Sequence, residues 1–361
     1  MNLPDSKHLG DAIQDGPTTR GFDESFGISA SLDMAPFVFI ENDHYTEPPT
    51  ATKQWIRRGP AGASFEAVDV LPTLTRKAVE TIARRAEDKK PFFLYLPLAS
   101  PHTPIVPTKE WQGKSGLGNY GDFVMETDWA LGQVMAALDQ AGIADQTLLI
   151  FTSDNGCSPA ANVKGLEKQG HFPSADSRGY KADIWDGGHR VPFIARWPGV
   201  TKPGSTSAQL ICHTDLMATC ADILAAKLPD DAGEDSFSIL PLLKGKDHAV
   251  REAVVHHSIQ GMFALRETKH KLIFCPGSGG WSEPGDDPSP AQLYDMKADP
   301  GELKNLRETH PDEVTRLTQL MEKIIADGRS TPGPASVNDH AVKLWKTNDK
   351  PAATPKKKSN S

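Results

Sequence analysis

Thr147 to Gly199 opens with TLLIFTSDNG and closes, after a polar loop, with SRGYKADIWDGGHRVPFIARWPG. Leu148 to Thr152 is a short, apolar or β-prone segment bounded by turn residues, and it reads as a buried strand. It runs out at Asp154-Asn155-Gly156, so a carboxylate and an amide oxygen stand side by side at a strand end. In α/β sheets, ligands bind beyond the carboxyl ends of strands. Both side chains offer hard oxygen donors, which suit Ca²⁺ or Mg²⁺ better than Zn²⁺. Lys181 stands among glycines and aromatics. Gly187-Gly188 leads into Val191 to Trp197, a second short strand closed by Pro198-Gly199. Asp-Asn-Gly is also a good turn in any protein, and a lone lysine is ordinarily solvated. The run as a whole, not either piece, carries the reading.

Upstream, Asp69 to Lys90 reads as an amphipathic helix, with Leu71, Leu74, Ala78, Ile82 and Ala86 at three- and four-residue steps. Phe92 to Leu98 is an almost wholly apolar run and reads as a strand buried on both faces. The loop Ala99-Ser100-Pro101-His102-Thr103-Pro104 follows it and puts His102 just past a strand end. Val124 to Ala141 is a further helix, with Leu131, Val134, Met135 and Leu138 as its apolar face and Gly142 as C-cap. Helix, strand, helix, strand in this order argues for βαβ units and a mainly parallel sheet.

Downstream, Thr214 to Ala225 reads as a helix capped by Thr214, whose capping chemistry accounts for His213-Thr214-Asp215 better than metal binding does. Ala253 to His257 and a hairpin within Met262 to Phe274, turning at Glu267 to Lys269, are strands. Pro311 to Asp327 is a last helix. The domains expected are an α/β unit over 1–250, a small α+β unit with an antiparallel sheet over 251–328, and a disordered tail over 329–361, rich in Pro, Lys, Ser and Asn.

The 361 residues are 38% hydrophobic and 24% charged, ordinary for a globular protein, and the net charge of −8 argues against a nucleic-acid partner. No run of eighteen apolar residues occurs, so no transmembrane segment is expected. The first residues, MNLPDSKHLG, have neither the basic nor the apolar region of a signal peptide, and the compartment stays open. Cys157, Cys212, Cys220 and Cys275 form no C-x-x-C pair, which argues against structural zinc.

Ser153-Asp154-Asn155-Gly156, Gly179-Tyr180-Lys181, Asp186-Gly187-Gly188-His189-Arg190-Val191-Pro192 and Arg196-Trp197-Pro198-Gly199, in that order, resemble the sulfatase family of the alkaline-phosphatase-like superfamily. His8-Leu9-Gly10, Gly21-Phe22-Asp23, the Ser100 to Pro104 loop and Leu293-Tyr294-Asp295 through Asp299-Pro300, Glu302 and Asn305-Leu306 match further family segments. One lysine departs: the family places it where Ser6 stands. The resemblance implies a sulfuric ester hydrolase with Ca²⁺ held by Asp154 and Asn155. It implies His102, Lys181 and His8 at the sulfate, and a sulfate ester substrate for which a sulfated carbohydrate is one candidate.

Family members use a formylglycine nucleophile made within C/S-x-P-x-R. That motif does not occur in this sequence; the nearest is Cys157-Ser158-Pro159-Ala160-Ala161, with Ala161 where Arg belongs. No aspartate pair precedes His8 either. The chain therefore reads as an N-terminally truncated sulfatase, inactive alone. Two alternatives remain: a metal-dependent phosphodiesterase or phosphatase of the same superfamily, and a non-catalytic binder of sulfated glycans.

Overall fold

The computed structural model describes residues 11–283, 285 and 287–346. His8 and residues 347–361 lie outside the described residues. Two compact units divide the chain. One takes the residues up to Thr147 together with Ala160–Gly170, and the other takes Leu148–Pro159 and His171 onward. The boundary near residue 250, expected from the order of the elements, is not one of these limits. The Asp154 segment joins the later unit because its backbone is bonded to residues 181 and 188.

In the first unit, β1 (Phe26–Ile28), β2 (Phe39–Glu41) and β3 (His44–Tyr45) form an antiparallel sheet. β4 (Ala51–Gln54) and β5 (Arg58–Ala61) form a second antiparallel pair. Helix α1 (Val70–Glu87) buries Val70, Leu71, Leu74, Ala78 and Ile82, the face its spacing predicted. Phe37, Phe65, Leu71, Leu74 and Phe123 meet in one core. Helix α2 (Gly118–Gln140) begins six residues before the expected Val124. Asp122, one turn in, ties the preceding loop to the helix by accepting the backbone N–H groups of Gly113 and Ser115 at 2.8 Å each. Met135, expected on the apolar face, is exposed, and Phe123, Ala130 and Ala137 are buried instead. A short helix, α3 (Val163–Lys168), completes this unit.

Residues 92–98 differ from expectation. They join no ladder among the described residues, and only Leu94, Leu96 and Leu98 are half-buried. Phe93 is 71% and Tyr95 66% exposed. The apolar run was read as a strand covered on both faces; here one face is open.

In the second unit, β6 (Leu149–Thr152) pairs antiparallel with β7 (Phe193–Arg196), in register from Leu149 opposite Arg196 to Thr152 opposite Phe193. The four-residue helix α4 (Asp186–His189) precedes β7. Among the described residues every strand ladder is antiparallel, and one parallel bridge links Phe37 and Ala61. The mainly parallel order read from alternating helix and strand is thus not what these ladders show. Alternation fixes the element types but not strand direction, and the long loop between β6 and β7 lets the chain reverse. Helix α5 (Asp215–Ile223) and the single turn α6 (Leu240–Leu243) follow.

β8 (Val254–His257), β9 (Phe263–Arg266), β10 (His270–Ile273) and β11 (Gln292–Asp295) form an antiparallel sheet in the order β11-β10-β9-β8. Side chains alternate between its faces. Leu265, Leu272 and Leu293 pack with Leu317 and Met321 of α7 (Pro311–Asp327), while Ala264, Ile273 and Tyr294 pack with Ile184 and Trp185. The α/β class, the C-terminal antiparallel sheet and its helix are as the sequence indicated.

Over its described part, residues 329–346, the tail departs from the reading of 329–361 as disordered. Leu344 is buried in the α7 core, Trp345 stacks edge-on against Phe274 with centroids 5.1 Å apart, and Ser336 N–H donates to Asp327 O at 2.8 Å. Low hydrophobicity misled because two well-placed apolar residues suffice to seat a short segment. Leu344→Ala is expected to cost about 2–4 kcal/mol in urea unfolding. Separately, Phe93→Lys with Tyr95→Lys should lower light scattering at micromolar protein and change stability by no more than about 0.5 kcal/mol.

Candidate active site

Asp154 and Asn155 leave β6 at its carboxyl end, Asp154 exposed and Asn155 half-buried. Ser153 Oγ donates to Asn155 O at 3.0 Å, and Asn155 Nδ2 donates to Gly156 O at 3.1 Å, which leaves the amide oxygen Oδ1 as an acceptor. Gly156 N–H donates to Gly188 O at 3.0 Å. The approach is close enough that a Cβ on Gly156 would run into the Gly187 carbonyl, and one on Gly188 would lie 2.6 Å from Tyr180 O. Only glycine admits such backbone contact. Lys181 N–H donates to Cys157 O at 2.9 Å. The loop of Lys181 and the loop of Asp154 and Asn155 are therefore bonded to each other. The Lys181 side chain is half-buried, and no carboxylate among the described residues pairs with it.

Behind the glycine turn lies a buried charge cluster that the sequence reading did not find. Lys271, with no exposure, sits 2.8 Å from Asp186 Oδ1 and 2.8 Å from Glu302 Oε1. Asp186 N–H donates to Glu302 Oε2 at 2.6 Å, and Arg178 Nη1 donates to Glu302 O at 2.9 Å while stacking on Trp185. Burial raises the pKa of Glu302 despite the lysine. Burial also works against ionised Asp186, but Lys271 and Arg266 outweigh it and hold its pKa down. A lysine inside a strand-period pattern was the available signal, since lysine is almost never fully buried unless paired.

His189 and His256 lie against each other, ring centroids 4.2 Å apart, and the buried His189 Nε2 has no hydrogen-bond partner among the described residues. Burial, with Lys271 adding to it, pushes His189 down to about 4. His213 Nε2 lies 2.9 Å from Thr152 Oγ1. Asp215 is fully committed, accepting from Cys212 N and Phe237 N and pairing with Arg251 at 3.0 Å.

His102 belongs to the first unit. Its Nδ1 lies 2.8 Å from Thr103 O. Its loop is held from α2: Thr127 Oγ1 donates to Ser100 Oγ at 2.8 Å, and Glu126 accepts Thr108 N–H at 2.9 Å. His8 lies outside the described residues.

The donor chemistry at Asp154 and Asn155 fits Ca²⁺ in kind, two hard oxygens at a strand end, but supplies few of the roughly six to eight oxygens that ion takes. Among the described residues the one set of three acidic or His donors within 4.8 Å of one another is Glu267, His270 and Glu313, elsewhere in the unit. Arg316 already pairs with both of those glutamates.

Comparison with known proteins agrees with this architecture. A sulfatase family model matches residues 13–226, and a model of the C-terminal part of N-sulphoglucosamine sulphohydrolase matches 180–330. An N-acetylgalactosamine-6-O-sulfatase of Bacteroides thetaiotaomicron is 34% identical over 84% of this chain and 68% of its own length. Human arylsulfatase A is 31% identical over 89% of this chain and 68% of its own. A solved Bacteroides thetaiotaomicron structure, described in connection with glycosaminoglycan metabolism, superposes with a TM-score of 0.78 at 31% identity, covering 88% of this chain and 75% of that one. The chain belongs to the sulfatase family, hydrolases of sulfuric esters with the alkaline-phosphatase-like fold.

The histidine pair gives a signed pH dependence. His189 titrates near 4 when folded against about 6.5 when free. The unfolded chain therefore binds the extra proton between those values, and stability present above about 6.5 is lost as pH falls toward 4. Glu302, raised, acts with the opposite sign, so the difference between wild type and His189→Gln isolates the histidine. Urea midpoints of His189→Gln across this range should fall less steeply than those of the wild type.

Proposed function

We propose that this chain recognises the sulfate group of a sulfated carbohydrate, with a 6-O-sulfated N-acetylgalactosamine residue as the first candidate. The observation that carries the reading is the bonding of the Lys181 loop to the Asp154-Asn155 loop through Lys181 N–H and Cys157 O, 2.9 Å. The bond ties the backbone of the Lys181 loop to that of the Asp154-Asn155 loop, which supports a role for all three residues at one sulfate. The sugar is taken from the name of the Bacteroides relative, 34% identical.

Asp154 and Asn155 would hold Ca²⁺, which when bound supplies positive charge to the sulfate oxygens. Lys181 contributes a second fixed positive charge toward the oxygens on which negative charge builds during ester cleavage. By the family resemblance, His102 would be the proton donor to the leaving alcohol; within its own unit its Nδ1 lies 2.8 Å from Thr103 O. Where a nucleophile belongs, this sequence has no C/S-x-P-x-R motif.

Two measurements test the reading. In calorimetric titration with Ca²⁺ present, 6-O-sulfated N-acetylgalactosamine should bind and its unsulfated form should not, and Lys181→Ala should weaken binding about tenfold. Equal affinity for both sugars, or no effect of Lys181→Ala, would refute it. With an aryl sulfate, the 361-residue chain should turn over no faster than its His102→Ala variant, because losing a nucleophile typically removes about 10⁶ in rate. Turnover that the variant loses would place the nucleophile within these residues, with Cys157 the first to replace.

A further inference from the structure

We infer that Lys271 is a positioning residue for the Asp154-Asn155 loop, acting through Asp186, Glu302 and the Gly187-Gly188 turn. The inference rests on the proposal that this loop holds a metal ion.

The links run in sequence and lie in one unit. Lys271 Nζ sits 2.8 Å from both Asp186 Oδ1 and Glu302 Oε1. Glu302 Oε2 accepts the Asp186 N–H at 2.6 Å, so Asp186 is gripped at its side chain and at its backbone. The next residue, Gly187, donates its N–H to Arg178 O at 2.7 Å, and Arg178 is itself tied to Glu302 O. Gly188 O then accepts Gly156 N–H at 3.0 Å. Asp186, Gly187 and Gly188 are all buried. Arg190 N–H closes the turn on Asp186 O at 2.7 Å.

Stability alone does not account for such a cluster. Replacing a buried ion pair by apolar residues of similar volume is often neutral or stabilising. What an ammonium shared by two carboxylates provides is direction: it fixes where Asp186 begins the turn. Gly156 and Gly188, which cannot be held by side-chain packing, take their position from that point.

The test separates positioning from general stability. Glu302→Gln and Lys271→Met are compared with Leu317→Ala, which opens a cavity under α7 in the same unit but away from the turn. Amide hydrogen exchange is followed in segments containing Gly156 and Lys181, under conditions where circular dichroism shows each variant folded. Glu302→Gln keeps the Lys271–Asp186 contact and carries the test if Lys271→Met does not fold. Exchange at Gly156 should quicken about tenfold or more in the charge variants relative to Leu317→Ala, and Tb³⁺, the luminescent probe for Ca²⁺, should bind about tenfold more weakly. Equal exchange at Gly156 in the charge variants and in Leu317→Ala would overturn the inference. Tb³⁺ binding that Asp154→Ala leaves unchanged would instead remove the metal reading, and the exchange comparison would still decide whether Lys271 positions the loop.

Discussion

An ammonium group with no access to water anchors the second unit. Taking Lys271 out of solvent costs several kcal/mol, and that cost is offset only if every direction around the charge is answered. Asp186 and Glu302 answer it at 2.8 Å each. The same positive charge adds to burial in keeping His189 and His256 neutral. One strand residue thereby contributes, beside burial, to the ionisation of four neighbours.

From that anchor the structure proceeds by backbone contact rather than side-chain packing. Gly156, Gly187 and Gly188 let three stretches of main chain touch: a Cβ on Gly156 would push the Asp154-Asn155 loop off the turn, and one on Gly187 or Gly188 would push the turn off the carbonyls of residues 178 to 183. The residues proposed to meet the sulfate thus sit on loops, while what places them is buried and rigid. This is the usual arrangement of functional groups on a scaffold.

The first unit applies the same logic with different parts. Its helix α2 turns three buried polar side chains, Asp122, Glu126 and Thr127, toward the loop that contains His102. Each of them satisfies backbone or hydroxyl groups that would otherwise be buried without partners.

The sequence by itself determined the types of the long helices and of the C-terminal strands, and several of their limits. Pro311–Asp327 is the helix its period indicated, and α1 buries the residues its three- and four-residue steps selected. The family was also legible, because short runs such as Ser153 to Gly156 and Asp186 to Pro192 are conspicuous as strings. Periodicity and short motifs are local, and local geometry is what they encode. Tertiary structure alone decided strand direction, the division of the chain after Thr147, the open face of 92–98 and the seating of Leu344 and Trp345. It alone showed that Lys271, which its strand position marks but does not pair, lies between two carboxylates, one 85 residues before it in the chain. A buried charge depends on which distant groups surround it, and no window along one strand carries that information.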